Sequence, residues 1–246
     1  MKIALLSDVH ANLEALEACL EHAAAQGAQR LVFLGDIVGY GGDPLAVTRR
    51  VQGLCEAGAL CLQGNHDWAA LHGPEGFNAD AAAAALWTAG QLDAEARAFL
   101  GGLPLTLEEE DRLYVHADAS EPAEWRYVTS ASEARRSLDA TEARLTFCGH
   151  THVPLLCGLT PTGKLATHPP PPGVAMPLMP PWKWLAVMGA VGQPRDGSPA
   201  ACYGLLDVAA SECIWLRVPY DVAAAAARIR EAGLPDGLAS RLAVGR

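Results

Sequence analysis

The stretch KIALLSDVHANLEALEACLEHAAAQG, residues 2–27, holds a strand, a loop and a helix, and its loop carries Asp8, His10 and Asn12. Residues 2–7 read as a short buried strand. Residues 12–26 read as a helix: Asn12 can cap it, Leu13, Leu16, Leu20 and Ala23 fall on one face, and Gly27 ends it. The rhythm then repeats. Leu31–Leu34 is a second apolar run, followed by the glycine-rich turn GDIVGYG (35–41) and a helix from about Pro44 to Ala57. Ala59–Leu62 is a third run and ends at GNHD (64–67). A β–α–β–α–β order implies a parallel sheet with crossover helices.

Further along, the alanine-rich residues 79–101 read as helical, as do Ser132–Leu138. Leu113–Val115 and Leu145–Phe147 are short apolar runs, each followed closely by histidine. The chain changes character after His152. Runs at 155–159, 164–167, 182–191, 201–208 and 213–218, separated by turn residues, read as a meander of antiparallel strands. The proline-rich HPPPPGVAMPLMPP (168–181) reads as an extended, stiff excursion, and Tyr220–Ala232 as a last helix. With no boundary signal in between, residues 1–246 are expected to form one domain of the α/β class.

With half its residues hydrophobic and 19% charged, the chain is globular rather than disordered. A net charge of -10 argues against non-specific nucleic-acid binding, which depends on Lys and Arg neutralising phosphates. It leaves room for a small phosphorylated substrate, because a metal can supply local positive charge. The seven cysteines are odd in number and form no CxxC, so free buried thiols and a cytoplasmic location are expected. No stretch approaches the ~20 apolar residues of a membrane span, and no membrane contact is expected.

Five clusters carry the chemistry: SDVHAN (7–12), GDIVGYG (35–41), GNHD (64–67), VHAD (115–118) and GHTH (149–152). Their polar residues fall at or just past the ends of expected strands, where open α/β sheets build their sites. Asp8, His10, Asp36, Asn65, His116, His150 and His152 offer only oxygen and nitrogen donors. That set suits Mn²⁺, Fe, Zn²⁺, Ni²⁺ or Mg²⁺ rather than a thiolate site, with Mn²⁺ placed first. Seven donors are too many for one catalytic zinc, whereas two metals sharing a carboxylate use them naturally. Singly, each cluster is an ordinary turn or helix cap. Jointly, they put five of the eight histidines at strand ends.

The ordered set Asp8-x-His10, Gly35-Asp36, Gly64-Asn65-His66-Asp67, His116 and Gly149-His150-x-His152 resembles the calcineurin-like metallophosphoesterase superfamily. GAVGQPRDG (189–197) resembles its compact bacterial and archaeal branch of phosphodiesterases and diadenosine tetraphosphatase-related proteins. The resemblance implies a sandwich of two mixed β-sheets flanked by helices, with two divalent metal ions at one end. It implies that Asp8, His10 and His152 hold one metal, that Asn65, His116 and His150 hold the other, and that Asp36 bridges. It implies hydrolysis of phosphodiesters, nucleotide polyphosphates or phosphomonoesters by metal-activated hydroxide. His66 would then be a catalytic residue beside the leaving oxygen rather than a ligand.

Two substrate contacts are candidates. Asn12 could meet a phosphate oxygen, although a helix cap is its plainer role. Arg195 could replace a missing cation, since phosphoprotein phosphatases of the superfamily carry GDxVDRG where this chain has Gly39 and Tyr40. Met188 and Ala190 stand where relatives carry polar residues, so a more apolar cleft wall is expected. Trp182 and Trp184 are candidates to overhang the cleft and stack a nucleobase. The competing reading is a metal- or phosphate-binding regulatory protein with little turnover.

Overall fold

The computed structural model describes residues 1–246. The first unit forms as read: strand β1 (Lys2–Leu6), helix α1 (Leu13–Ala25), strand β2 (Arg30–Phe33), helix α2 (Pro44–Glu56) and strand β3 (Leu60–Cys61). The three strands are parallel, in the order β3-β2-β1. Both faces of β1 are covered, which explains its unbroken apolar run. Ala4 and Leu6 pack under α1 and α2 against Leu16, Cys19, Val47 and Val51. Ile3 and Leu5 point the other way, into a layer shared with Tyr114, Phe147 and Trp215.

GNHD opens a short helix, α3 (Asn65–His72), rather than a turn alone. The alanine-rich segment is two helices, α4 (Ala79–Gln91) and α5 (Ala94–Gly101). The break has a local cause: Asp93 caps α5 by accepting the Ala96 N–H at 2.8 Å. Strands β4 (Thr106–Glu109) and β5 (Arg112–Val115) form a hairpin, followed by helix α6 (Ala131–Asp139) and strand β6 (Leu145–Cys148). A capping box between Ser130 and Glu133 starts α6.

The segment after His152 is not a meander. Strands β7 (Leu155–Leu159) and β8 (Leu165–His168) join the sheet of β4–β6. Strand β9 (Ala175–Pro177), inside the proline-rich excursion, crosses to the edge of the other sheet. Strand β10 (Lys183–Val187) returns to lie parallel to β6 and antiparallel to β7. Strands β11 (Ala201–Asp207) and β12 (Glu212–Val218) then pair with each other, and β11 pairs with β1 in the first sheet. Helices α7 (Val222–Glu231) and α8 (Asp236–Ser240) close the chain.

The result is two mixed six-stranded sheets, ordered β3-β2-β1-β11-β12-β9 and β4-β5-β6-β10-β7-β8. They face each other across one apolar layer, with helices outside, as expected. Trp215 is a central element of that layer: it is buried and its indole N–H donates to the Val187 carbonyl at 3.0 Å. No helix is long and apolar enough to cross a membrane.

Candidate metal centre

The carboxyl ends of β1, β2, β3, β5 and β6 all open at one end of the sandwich. Their loops are tied to one another by backbone hydrogen bonds. Asp8 N–H donates to Gly35 O at 3.1 Å, His10 N–H to Asp36 O at 2.9 Å and Gly149 N–H to His116 O at 2.9 Å. Gly192, past β10, donates to Asp8 O at 2.9 Å and closes the ring of loops. Ten non-glycine residues have positive φ, and seven of them are in these loops: Asp8, His10, Ala11, Asp36, Tyr40, His150 and His152. Such φ values are costly for L-residues and persist where surrounding bonds fix them. Gly149 meets a harder limit, because a Cβ there would lie 1.8 Å from Ser7 Oγ.

All seven residues expected to bind metal come together, and all are buried. Asp8 and Asp36 use the same device. One oxygen of each accepts a backbone N–H, from His150 at 3.1 Å and from His66 at 2.8 Å respectively. The other oxygen, Asp8 Oδ1 or Asp36 Oδ2, has no hydrogen-bond partner and faces the histidines. Asp36 Oδ2 lies 3.7 Å from His10 Nε2 and 3.4 Å from His116 Nε2, between two groups. The first group is Asp8, His10 and His152, the second is Asp36, His116 and His150, and a third, of His10, Asp36 and His66, overlaps both. Within each, the donor atoms lie within 4.8 Å of one another. Asn65 Oδ1 joins the second, 3.1 Å from His116 Nε2.

The imidazoles are set for coordination. Nδ1 of His10, His116 and His152 meets the carbonyls of Val38, Leu34 and Gln193 at 3.2, 2.8 and 2.6 Å. A carbonyl only accepts, so these nitrogens carry a proton. Nε2 of His10 and His152 keeps a lone pair, and Nε2 of His116, whose pKa burial pulls down but Asp36 raises to about 9, offers one once its own proton leaves. His10 Nε2 and His152 Nε2 then face each other at 3.1 Å with no proton between them. Burial lowers the pKa of both rings well below the usual histidine value, so neither acquires one near neutrality. A cation would resolve this contact and would satisfy the free oxygens of Asp8 and Asp36 and the unpartnered Nε2 of His150. These residues fit divalent metal binding.

His66 lies against the same centre, its ring packed by Tyr40 at 4.3 Å, Phe77 at 4.7 Å and His10 at 4.9 Å. Its Nδ1 has no partner. Burial lowers its pKa to about 4. Gly39 sits directly beneath: a Cβ there would be 2.5 Å from His66 Nδ1. Thus no acid orients this ring. Packing does so instead. Tyr40 packs against both His10 and His66, and the Arg195 guanidinium stacks over its ring at 5.5 Å. Arg195 therefore stands at the mouth of the site, half-buried and held by Gln193 Oε1 at 2.9 Å.

Asn12 caps α1. Its Oδ1 accepts from Ala15 N–H at 3.0 Å, while its amide donates to Gly192 O at 2.9 Å and to the Tyr220 hydroxyl at 3.3 Å. Both ends of the amide are thereby engaged. Met188 and Ala190 do not line the cleft: Met188 lies in the core between the sheets and Ala190 is fully buried. Trp182 and Trp184 stack on each other at 5.3 Å near Gly158, at the start of β10. Since β10 runs parallel to β6, that is the end opposite the site, and they do not overhang it.

Two features escaped the sequence reading. Asp67 is buried and accepts from Ile37 and Val38 N–H at 2.9 and 3.1 Å and from Gly64 N–H at 2.9 Å. It locks the loop bearing Asp36 to the helix bearing His66. Its place three residues after Gly64 was a legible capping signal. Trp125 and Tyr127 pack on His116 and His150, at 5.8 and 4.1 Å. Two aromatics in a polar loop were the only hint of them.

Comparison with known proteins agrees with this architecture. A model of the calcineurin-like phosphoesterase superfamily domain matches residues 1–211. The chain belongs to that superfamily. A metallophosphoesterase of Sphaerobacter thermophilus is 38% identical, with a TM-score of 0.89 over 100% of this chain and 99% of its own. An uncharacterized protein of Methanocaldococcus jannaschii is 35% identical across 99% of this chain and 98% of its own. A hypothetical protein of Pyrococcus horikoshii shares the fold, with a TM-score of 0.82 at 19% identity over 100% of this chain and 98% of its own. Membership in the calcineurin-like phosphoesterases accounts for the shared sandwich and the buried Asp/His centre at its end.

Proposed function

We propose that this chain hydrolyses phosphate esters at a pair of divalent metal ions, phosphodiesters or nucleotide polyphosphates ahead of simple monoesters. The observation that carries the reading is the pair of donor groups meeting at the free Oδ2 of Asp36. On this reading Asp8, His10 and His152 hold one ion, Asn65, His116 and His150 the other, and Asp36 bridges. The ions, when bound, supply positive charge to the phosphoryl oxygens and lower the pKa of a water molecule. Manganese is placed ahead of iron, zinc, nickel or magnesium, since every donor is oxygen or nitrogen.

The protein side chains do the remainder. His66, neutral because burial holds its pKa to about 4, offers an N–H to the phosphoryl or leaving-group oxygen. Arg195 draws the anionic ester to the mouth and substitutes for the cation absent at Tyr40. Residues 1–246 act as one domain, both sheets contributing to one centre. The seven free cysteines support a reducing, cytoplasmic setting.

The test is metal analysis followed by a screen of aryl phosphodiesters, phosphomonoesters and dinucleoside polyphosphates with each metal. Two ions per chain with metal-dependent turnover are expected. Tight metal or phosphate binding without turnover of any ester would instead favour the regulatory reading.

A further inference from the structure

The loop joining β5 to α6, residues 119–130, is pinned at both ends. Ala119 N–H donates to Ser137 Oγ at 3.0 Å, and Ser120 N–H to Asp118 Oδ1 at 2.8 Å. At the other end the Thr129 and Ser130 N–H groups donate to Glu133 at 2.8 and 2.9 Å, and Val128 is buried in the outer core. Between these anchors Trp125 takes a left-handed conformation, φ 50°, and turns the chain over the metal centre. Tyr127 then lies flat on His150, with ring centroids 4.1 Å apart and 19° between planes.

This ring is unusual in its exposure. His150 beneath it is buried, whereas Tyr127 is 50% exposed. One face of the phenol is sealed and the other is open at the rim of the site. Across the rim stands Tyr40. Its ring lies under the Arg195 guanidinium, 5.5 Å from the centroid, and packs on His10 at 4.7 Å and on His66 at 4.3 Å. Tyr127 thus flanks the donor groups beside His150, and Arg195, over Tyr40, flanks them beside His10.

We infer that Tyr127 is a specificity-determining residue whose open face stacks a flat organic group, aryl or nucleobase, of the phosphate ester. The inference rests on the phosphoester reading above. The ring is already immobilised on His150, so little freedom is lost on binding. Aromatic stacking is tolerant of the base, because every base has a π-face. Trp182 and Trp184, at the far end, have no access to such a group.

The test is calorimetric binding of phenylphosphonate and methylphosphonate to the manganese-loaded wild type and to Tyr127→Phe, Tyr127→Leu and Tyr127→Ala, with metal content measured for each. Wild type and Tyr127→Phe should bind the phenyl compound about tenfold more tightly than the methyl compound. Tyr127→Leu, which still covers His150, should lose that preference with methylphosphonate affinity and metal content unchanged, and Tyr127→Ala should follow it. Equal affinity for both compounds in the wild type, or an undiminished preference in Tyr127→Leu, overturns the inference. A Tyr127-dependent preference in a protein that hydrolyses no ester would leave stacking standing and remove the catalytic reading. Turnover with no preference would do the reverse.

Discussion

Gly39 shows how one residue sets the chemistry of its neighbour. Its φ of +93°, and the 2.5 Å that would separate a Cβ from His66 Nδ1, leave no room for a side chain. Gly39→Ala should therefore displace His66 while sparing the metal residues: bound metal stays near two ions and kcat falls at least about tenfold. His66→Ala should likewise keep metal and lose about 10²-fold in kcat. Full activity in that variant would remove the role assigned to His66. Asp36→Ala, by contrast, removes the one oxygen that lies between the two donor groups, so metal content and turnover should fall together. Inductively coupled plasma analysis beside steady-state kinetics separates these outcomes.

At the scale of elements, the strand-end loops do the positioning and the helix caps hold the loops. Asn12 was legible as a cap because a polar residue preceded a helical apolar face. That its amide also ties α1 to Gly192 and Tyr220, 180 and 208 residues away in sequence, was not legible. Asn12→Ala should cost about 1–2 kcal/mol in thermal or urea unfolding. KM for an aryl ester should change little, which distinguishes the cap from a substrate contact. The crossing of β9 and β11 to the opposite sheet was also hidden. Alternation within 201–218 identifies strands but not their partners, and β11 pairs with β1, at the far end of the sequence.

The whole molecule couples this centre to pH. Burial lowers the pKa of His10, His66, His150 and His152, so below about pH 6.5 the unfolded chain binds protons that the folded one does not. Their contribution makes stability fall with acid. Burial raises Asp8 to about 6 and Asp67 to about 7, which favours the folded state at low pH and works in the opposite direction. Burial also pulls His116 down, but Asp36 more than reverses this and raises it to about 9, a contribution lost as pH rises above about 6.5. On the acid side four lowered histidines, joined by Asp36, which burial pushes up but His116 holds well below the usual carboxylate value, oppose two raised carboxylates, and His116 governs the alkaline side. Metal-free protein should be most stable near pH 6.5 in a series of thermal melts. Metal must displace the His116 proton, so its affinity should rise with pH, and saturation at about 1,000 times Kd should add about 4 kcal/mol. The thiols give an independent check on the packing. Burial pushes Cys19, Cys157 and Cys202 up to about 12, whereas the neighbouring Cys61 thiol lowers half-buried Cys55, so iodoacetamide should label Cys55 first.

By itself the sequence determined the strand–loop–helix order of the first half, the donor residues and the reaction class they suit. These depend on local periodicity and on side-chain chemistry, which the order of residues carries directly. Only the tertiary structure decided that Asp36 Oδ2 lies between two donor groups, that packing rather than an acid orients His66, and that Tyr127, not Trp182 or Trp184, roofs the site. Those are distances between residues remote in the chain. Sheet pairing and loop closure fix them, and no local pattern encodes either.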